Sequence, residues 1–259
     1  MPAVRWGYAP TMDLERHGDV TVLRIRGTKA NSMTPEMVAA LGATIGELIE
    51  RDARALVVTG EGKFFSAGLA LPALVGLARP ELRDFMRLFA RTMRALFASP
   101  KPVVAAINGH AIAGGAVLAL QCDVRIAAAA DQRIGLNEAQ LGIALPTSVM
   151  EPLRFAIAPK HFTEVALEGR LFSPAEALAV GLVDAVVPPG ELESVAIARA
   201  RTLGAIPPAA FATTKESIRR PVLEAIDRYA ESDADRWLDT WFSADAQERL
   251  RAAVAKLGA

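Results

Sequence analysis

Cysteine is nearly absent from this sequence: one occurs among 259 residues, at Cys122. A single cysteine excludes an intramolecular disulfide and any metal site built from several thiolates. Its neighbours in LALQCDVRIA are mainly apolar, so we expect a buried and unreactive thiol. Histidine is also scarce, and His17, His110 and His161 lack the spacing of metal ligands. The sequence therefore predicts no metal site.

An excess of charge of either sign is lacking as well, because 29 Lys and Arg residues balance 29 Asp and Glu residues. A general nucleic-acid binder normally carries a basic excess, so we expect no nucleic-acid partner. No uninterrupted apolar run reaches about 18 residues, which argues against a membrane span. The opening residues MPAVRWGYAP lack the apolar segment of a signal peptide. We therefore expect a cytoplasmic protein without a membrane partner.

Hydrophobic residues, by contrast, are abundant at 52% of the chain, enough for one sizeable core. Residues 19–27 and 54–60 are rich in β-branched side chains and end in glycine, which predicts strands. Between them, Thr34 and Pro35 introduce an amphipathic segment that predicts a helix up to Glu50. The first 60 residues therefore predict a strand, a helix and a strand.

The alternation continues towards the middle of the chain. An amphipathic helix is predicted over 82–97 and a strand over 103–107. A third helix begins at the paired glycines Gly114 and Gly115, and a buried strand follows over 124–129. Repeated strand–helix units predict an α/β fold with a parallel sheet covered by helices.

The pattern changes in the last third of the sequence. The segment SPAEALAVG contains a capping box formed by Ser173 and Glu176, which predicts a short helix. The chain is nearly all helical from Glu191 onwards, with one interruption at the sequence IPP. We therefore predict an α/β core over 1–190 and a helical C-terminal region over 191–259.

Two glycine-bearing turns follow predicted strands. KFFSAGLAL places Gly68 in one, and NGHAIAGGAVLAL places Gly114 and Gly115 in the other. Glycine lets a ligand approach the backbone closely, and two free N–H groups that converge on one oxygen form an oxyanion hole. Neither segment has the pattern of a phosphate-binding loop. From the residues alone, tight packing turns remain the alternative.

These segments, in this order and spacing, resemble the crotonase superfamily, also called the enoyl-CoA hydratase/isomerase superfamily. The segments that carry the resemblance are FSAGL, NGHAIAGGAVLALQCD and LFSPAEALAVGLVDAVVP. The resemblance implies a crotonase-like ββα-spiral core with a helical C-terminal trimerisation region. It also implies an acyl-CoA thioester substrate, no cofactor other than the coenzyme A of that substrate, and homotrimers that sometimes pair into hexamers.

The resemblance assigns catalytic oxyanion donors to the backbone N–H groups of Leu69 and Gly114. The family commonly has Asp at the position of Ala70, so a side-chain hydrogen bond that could brace the turn is absent here. The residues expected to bind substrate are Ala67, Gly68, Leu69, Ala70, Leu71, Gly114 and Asn137.

Family hydratases use two glutamates, and this sequence keeps one of them. The first position, three residues after the oxyanion glycine, is Val117; the second aligns with Glu138 in IGLNEAQLGIALP. An isomerase needs a single carboxylate that moves a proton from C2 to C4. The stretch resembles the signature of mitochondrial-type Δ3,Δ2-enoyl-CoA isomerases, whose base matches Glu138. We expect apolar neighbours to raise the Glu138 pKa.

The sequence thus predicts a Δ3,Δ2-enoyl-CoA isomerase of fatty acid β-oxidation with Glu138 as its single acid/base. Another crotonase chemistry (hydratase, decarboxylase or thioesterase) or a non-catalytic acyl-CoA-binding homologue remains open. Without the resemblance, Glu138 reads as a residue at a helix N-terminus. Lys29 is the candidate for the CoA phosphates, since the lysine common in the family near position 244 is Ala244 here. The expected walls of the acyl pocket are Leu71, Leu74, Phe85, Leu145 and residues near Trp241 and Phe242.

Overall fold

A seven-stranded sheet forms the centre of the molecule in the computed structural model, which describes residues 5–7, 12–26, 29–50 and 53–258. A second, three-stranded sheet lies beside it. The strands in chain order are β1 (Arg5–Gly7), β2 (Met12–His17), β3 (Val20–Ile25), β4 (Ala55–Gly60), β5 (Phe64–Ser66), β6 (Val103–Ile107), β7 (His110–Ile112), β8 (Val124–Ala128), β9 (Ile134–Gly135) and β10 (Ala185–Val187).

The large sheet has the spatial order β1-β2-β3-β4-β6-β8-β10 and is parallel from β3 onwards. Strands β4 and β6 are buried at every position, as expected for parallel strands covered on both faces. The predicted parallel sheet is therefore confirmed. Strands β1, β2 and β3 pair antiparallel, which the sequence did not predict, and β5, β7 and β9 form the small parallel sheet.

Helices follow the strands and then dominate the C-terminal part. Short 3₁₀ helices also occur, including Lys29–Asn31 and Glu138–Leu141, together with a π-helical turn over Thr163–Leu167. The α-helices are α1 (Pro35–Glu50), α2 (Leu71–Leu74), α3 (Arg79–Phe97), α4 (Gly114–Leu120), α5 (Thr147–Ala156), α6 (Pro174–Val180), α7 (Leu192–Gly204), α8 (Pro208–Trp241) and α9 (Ala244–Gly258).

Local capping explains where several helices begin. The Thr34 hydroxyl accepts a hydrogen bond from the Met37 N–H at 3.2 Å, and Ser173 and Glu176 form the predicted capping box. Helix α3 begins at Arg79, three residues before the predicted start. The reason is that the Glu81 carboxylate accepts from the N–H of Ala78 at 2.9 Å, which caps the helix one turn earlier.

The two faces of the large sheet carry different helices. Alternate residues of β4 point to opposite faces: Leu56 joins the core shared with α1 and α3, whereas Val57 joins the core shared with α7. Ala196 and Ala200 are fully buried on α7 and let it lie close to the sheet. The helix that follows the predicted boundary at residue 190 thus covers the sheet, and the division into two regions stays a prediction.

A buried ionic cluster joins α8 to the sheet. The carboxylate of Asp123, which precedes β8, accepts a hydrogen bond from the Val103 N–H at 2.8 Å and contacts the Lys215 ammonium at 2.7 Å. Its other oxygen lies 2.8 Å from the guanidinium of Arg219. The adjacent Cys122 is buried, and burial raises the pKa of its thiol to about 12, which agrees with the predicted unreactive cysteine.

The described helices contain no segment that is both long enough and apolar enough to cross a membrane.

Candidate active site

A cavity of about 880 Å³ opens beside the small sheet. The elements around it are the turn before α2, the start of α4, the 3₁₀ helix Glu138–Leu141, and parts of α3, α5, α8 and α9. Most of the lining side chains are apolar. The segments that the sequence singled out for the active site therefore meet at one place.

In the turn over residues 67–71, the backbone N–H of Leu69 has no hydrogen-bond acceptor in the described part of the chain. The Met33 N–H donates to the Gly68 carbonyl at 2.8 Å, and the Ala70 N–H donates to the Met33 carbonyl at 3.0 Å. Because neighbouring amides of an extended chain point in opposite directions, the N–H of Leu69 points away from Met33. Among the described residues no acceptor bonds this N–H. Leu69 borders the cavity.

The second free amide belongs to Gly114, the first residue of α4, where an N–H group has no partner within the helix. It also donates to no acceptor in the described part of the chain. A Cβ on Gly114 would lie 3.4 Å from the Leu69 nitrogen, and one on Gly68 would lie 2.6 Å from the Gly114 nitrogen. The two amide nitrogens are therefore close to each other, and both residues border the cavity.

The backbone before Gly114 is held in an unusual conformation. Ala113 has a φ of 50°, which is strained for a residue with a side chain, and its N–H donates to the Gly135 carbonyl at 2.9 Å. A Cβ on Gly115 would lie 2.1 Å from the Ser66 carbonyl oxygen. Glycine is required there because the start of α4 packs directly on the end of β5.

Glu138 begins the 3₁₀ helix Glu138–Leu141, and its side chain borders the cavity. The residue as a whole is half-buried, but its Oε2 atom is inaccessible and has no hydrogen-bond partner among the described residues. Burial raises the pKa of the carboxyl to about 7, because it penalises the charged form more than a hydrogen bond from the residue's own N–H favours it. The raised pKa is in the range of a proton-transfer group.

The position of the first hydratase glutamate is apolar. Val117 is 1% exposed and borders the same cavity. Among the described residues around the cavity, Glu138 is the single carboxylate. The described wall therefore combines one carboxyl group with a raised pKa, two free amides and mainly apolar side chains.

The other predicted substrate-binding residues divide into two groups. Ala67, Ala70, Leu71 and Asn137 border the cavity, whereas Gly68 shapes the turn behind its surface with a φ of 83°. The Oδ1 atom of Asn137 is buried without a hydrogen-bond partner among the described residues.

Ala70 lacks the side-chain brace that the family commonly has, and backbone hydrogen bonds hold the turn instead. The Ala70 N–H donates to Met33, and the Ala70 carbonyl accepts from the Ala73 N–H at 2.8 Å. The turn is therefore ordered without an aspartate at this position.

The predicted pocket walls are partly wrong. Leu71, Leu145 and Trp241 border the cavity, but Leu74 is buried in the core away from it. Residues near Trp241 and Phe242 were also expected, and Trp237 and Trp241 do border the cavity, whereas the Phe242 ring lies under the guanidinium of Arg79 outside the described cavity wall.

Phe85 was also predicted as a wall and does not border the cavity. It packs against Phe89, with ring centroids 6.5 Å apart, and Phe89 is the ring that faces the cavity together with Met86. The sequence could not separate these neighbours, because all three lie on the buried side of α3.

Two lysines border the cavity, Lys29 and Lys256. The sequence suggested Lys29 and missed Lys256, because a C-terminal lysine was expected near position 244. The last turn of α9 places Lys256 beside the cavity, close to Ala253 and Val254. A lysine near the end of the last amphipathic helix is the signal that could have identified it.

His110 lies outside the described cavity wall, and its ring has partners elsewhere. Its Nδ1 atom accepts a hydrogen bond from the Arg133 N–H at 3.0 Å, and its ring packs against Phe64 with centroids 4.9 Å apart. It is absent from the described cavity wall.

The spiral of parallel strands and helices around this cavity defines a crotonase-type α/β fold. Comparison with known proteins agrees: residues 15–257 match the family Enoyl-CoA hydratase/isomerase, and the chain belongs to this family.

Individual relatives carry both isomerase and hydratase names. Human mitochondrial enoyl-CoA delta isomerase 1 is 31% identical over 242 residues, which cover 92% of this chain and 80% of that protein. A putative enoyl-CoA hydratase of Thermus thermophilus is 36% identical over 197 residues, 73% of this chain and 75% of that protein.

Among solved structures, the crystal structure of human mitochondrial Δ3,Δ2-enoyl-CoA isomerase has a TM-score of 0.90 at 28% identity. The match covers 100% of this chain and 98% of that one. The resemblance seen in the sequence and the predicted fold class are thus confirmed, and the protein is an enzyme of the enoyl-CoA hydratase/isomerase family.

Proposed function

We propose that this protein is a Δ3,Δ2-enoyl-CoA isomerase of fatty acid β-oxidation, which shifts a double bond of an acyl-CoA from the β,γ to the α,β position. The observation that carries the proposal is the single carboxylate of Glu138, with its pKa of about 7, in a cavity that also holds two free amides. The aliphatic Val117 at the other hydratase position supports the same reaction.

The first step removes a proton from C2. The thioester oxygen accepts hydrogen bonds from the Leu69 and Gly114 N–H groups, and the Glu138 carboxylate takes the C2 proton. The electron pair of the broken C–H bond moves towards the thioester oxygen and gives an enolate, which the two amides stabilise. Removal of one such donor typically costs about 10²–10³ in rate.

The second step returns the same proton to C4. The enolate electrons form the C2–C3 double bond while the former C3–C4 double bond takes the proton from the Glu138 carboxylic acid. A pKa near the operating pH suits both roles, because the group must first accept and then donate. The reaction consumes no water and needs no cofactor beyond the coenzyme A of the substrate, and Val117 helps to exclude water.

Lys29 and Lys256 would attract the phosphate groups of coenzyme A by charge. The two lysines are the cations of the described cavity wall. We therefore place the CoA moiety on their side of the cavity in this proposal.

Hydration of a 2-enoyl-CoA is the second candidate, because the Thermus thermophilus relative is named a putative hydratase. Hydration in this family relies on two glutamates. The described cavity wall offers Glu138 and, at the other position, the methyl groups of Val117, which disfavours this reaction. No described feature of the cavity favours decarboxylation, thioester hydrolysis or binding without turnover.

The test offers the purified protein trans-3-hexenoyl-CoA and, separately, trans-2-hexenoyl-CoA. We expect rapid conversion of the first and slow hydration of the second. Glu138→Gln should lower kcat by about 10²–10⁴ while acyl-CoA binding persists.

Glu151→Gln is the matched control, because Glu151 pairs with Arg154 and lies outside the described cavity wall. Faster hydration than isomerisation in the wild type, or full turnover in Glu138→Gln, would refute the proposal.

A further inference from the structure

A second, smaller cavity of about 220 Å³ lies between α3, α5 and α8, and we call it the α3–α8 gap. Met86, Pro146 and Trp237 border both this gap and the main cavity. These three residues therefore form a shared wall, one side chain thick, between the two spaces.

The gap exists because small side chains face each other across the helices. Ala90 on α3 and Ala230 and Ala234 on α8 border it. Alanine cannot fill the groove of a helix about 8–10 Å away. The space left between α3 and α8 follows directly from these three residues.

Partly exposed ion pairs link the two helices beside the gap. The Arg87 guanidinium lies 2.6 Å from the Glu231 carboxylate, and Arg94 lies 2.6 Å from Asp227. Both pairs join α3 to α8, and all four residues border the gap. The lining of the gap therefore combines small apolar side chains with these two ion pairs.

One member of the shared wall can move more readily than the others. Trp237 stacks on Trp241 with ring centroids 5.0 Å apart, and Pro146 is rigid. Met86 is buried, at 8% exposed, but its unbranched side chain has three rotatable bonds and adapts to irregular spaces. A rotation of Met86 would join the gap to the main cavity.

We propose that the α3–α8 gap extends the acyl site and receives the tail of long-chain acyl-CoA substrates when Met86 turns aside. The inference rests on the proposed function in that it assumes an acyl-CoA ligand. Glu138, Leu69 and Gly114 border the main cavity and not the gap, so the thioester stays at the oxyanion hole while the tail passes the shared wall. The substrate class is therefore long-chain, and short chains end before Met86.

The test measures dissociation constants for hexanoyl-, decanoyl- and tetradecanoyl-CoA by titration calorimetry. In the wild type we expect affinity to rise from decanoyl to tetradecanoyl. Ala234→Leu and Ala230→Leu fill the gap and should reduce the ratio of tetradecanoyl to hexanoyl affinity about tenfold, the equivalent of roughly two buried methylene groups. Ala210→Leu, on an exposed face of α8 outside both cavities, should leave that ratio at the wild-type value.

Met86→Ala provides an independent measurement, because it opens the shared wall. It should raise the ratio of tetradecanoyl to hexanoyl affinity. If circular dichroism shows that both leucine variants fail to fold, an unchanged ratio in Met86→Ala would overturn the proposal. An affinity that does not increase beyond decanoyl-CoA in the wild type, or equal ratios in Ala234→Leu and Ala210→Leu, would overturn the proposal.

Saturated acyl-CoAs cannot be isomerised, so this experiment does not depend on the reaction. Absence of isomerase activity together with the expected chain-length dependence would refute the proposed reaction alone. Isomerase activity with trans-3-hexenoyl-CoA but no chain-length dependence would refute the extension alone.

Discussion

At the scale of single residues, Glu138 shows how burial prepares a carboxyl group for proton transfer. Its Oε2 atom is inaccessible and unbonded among the described residues, so the charged form loses solvation that the hydrogen bond from the residue's own N–H replaces only in part. The resulting pKa of about 7 allows the residue to act as a base and then as an acid. Burying the charged carboxylate also costs folding free energy. The raised pKa can therefore be tested by measuring stability, without any substrate.

Glu138→Gln is therefore expected to stabilise the protein above pH 7. The folded pKa lies above the ordinary value of 4.5, so between these values the native state binds more protons than the unfolded state. Wild-type stability consequently falls as pH rises through this window. Glutamine cannot ionise, and the variant should gain roughly 1–3 kcal/mol in free energy of unfolding relative to wild type above the window.

Urea denaturation across this pH range checks the effect. Below pH 4.5 the gain should vanish, since both forms are then neutral. A gain of the same size at every pH would show that packing, not ionisation, accounts for it.

Val117 offers a second prediction at this scale. Val117→Glu restores the two-glutamate arrangement expected of family hydratases and should add detectable hydration of trans-2-hexenoyl-CoA. Val117→Gln has nearly the same size and no acid, so it should not hydrate. Both variants should lose stability, because position 117 is buried and a polar group there costs about 1–3 kcal/mol. Equal hydration by the two variants would contradict the prediction.

At the scale of elements, α8 is the helix whose placement matters most for the site. Near its beginning, buried Lys215 and Arg219 bind Asp123, and near its end Trp237 and Trp241 border the cavity. Desolvation lowers the pKa of Lys215 to about 8 despite its carboxylate partner. The ionic cluster therefore holds α8 in place only while its charges balance.

Asp123→Asn should destabilise the fold by about 3–5 kcal/mol, because it leaves two buried cations without their counter-charge. Urea denaturation measures this directly. Asp227→Asn is the matched control: it breaks the more exposed pair with Arg94 and should cost less than about 1 kcal/mol. Similar losses of unfolding free energy in the two variants would show that the buried cluster contributes no more to stability than the exposed pair.

The sequence predicted an element well when the signal for it lies in a few adjacent residues, and poorly when it depends on residues far away in the chain. The caps at Thr34 and Ser173 depend on a few adjacent residues and were confirmed. Strands β5 and β9 have three and two residues, too few to show a period, and they form a sheet only because β7 lies between them. The antiparallel pairing of β2 with β3 was missed for a related reason, since strand pairing is a tertiary property.

At the scale of the whole molecule, several large apolar side chains remain exposed on the described surface. Scattered apolar residues are normal, but contiguous ones indicate an interface. The exposed side chains are Phe155, Leu167, Leu178, Ile206, Ile218 and Tyr229.

The family resemblance implies trimers, and we keep this as a prediction. Light scattering after gel filtration should give three times the chain mass of 27.5 kDa. If trimers pair into hexamers, it should give six times the chain mass. Dilution should not shift the mass if the interface is of the obligate, apolar kind. A mass of one chain at micromolar concentration would contradict the prediction.

The sequence by itself determined which groups were available: glycine-bearing turns after two strands, a glutamate at position 138 with a valine at position 117, and a strand–helix alternation. These are local properties, readable from neighbouring residues. Only the tertiary structure decided that Leu69, Gly114 and Glu138 border one cavity, that burial raises the Glu138 pKa, and that α3 and α8 leave a gap. Each of these depends on segments far apart in the chain, because solvation and packing are set by whichever residues the fold brings together.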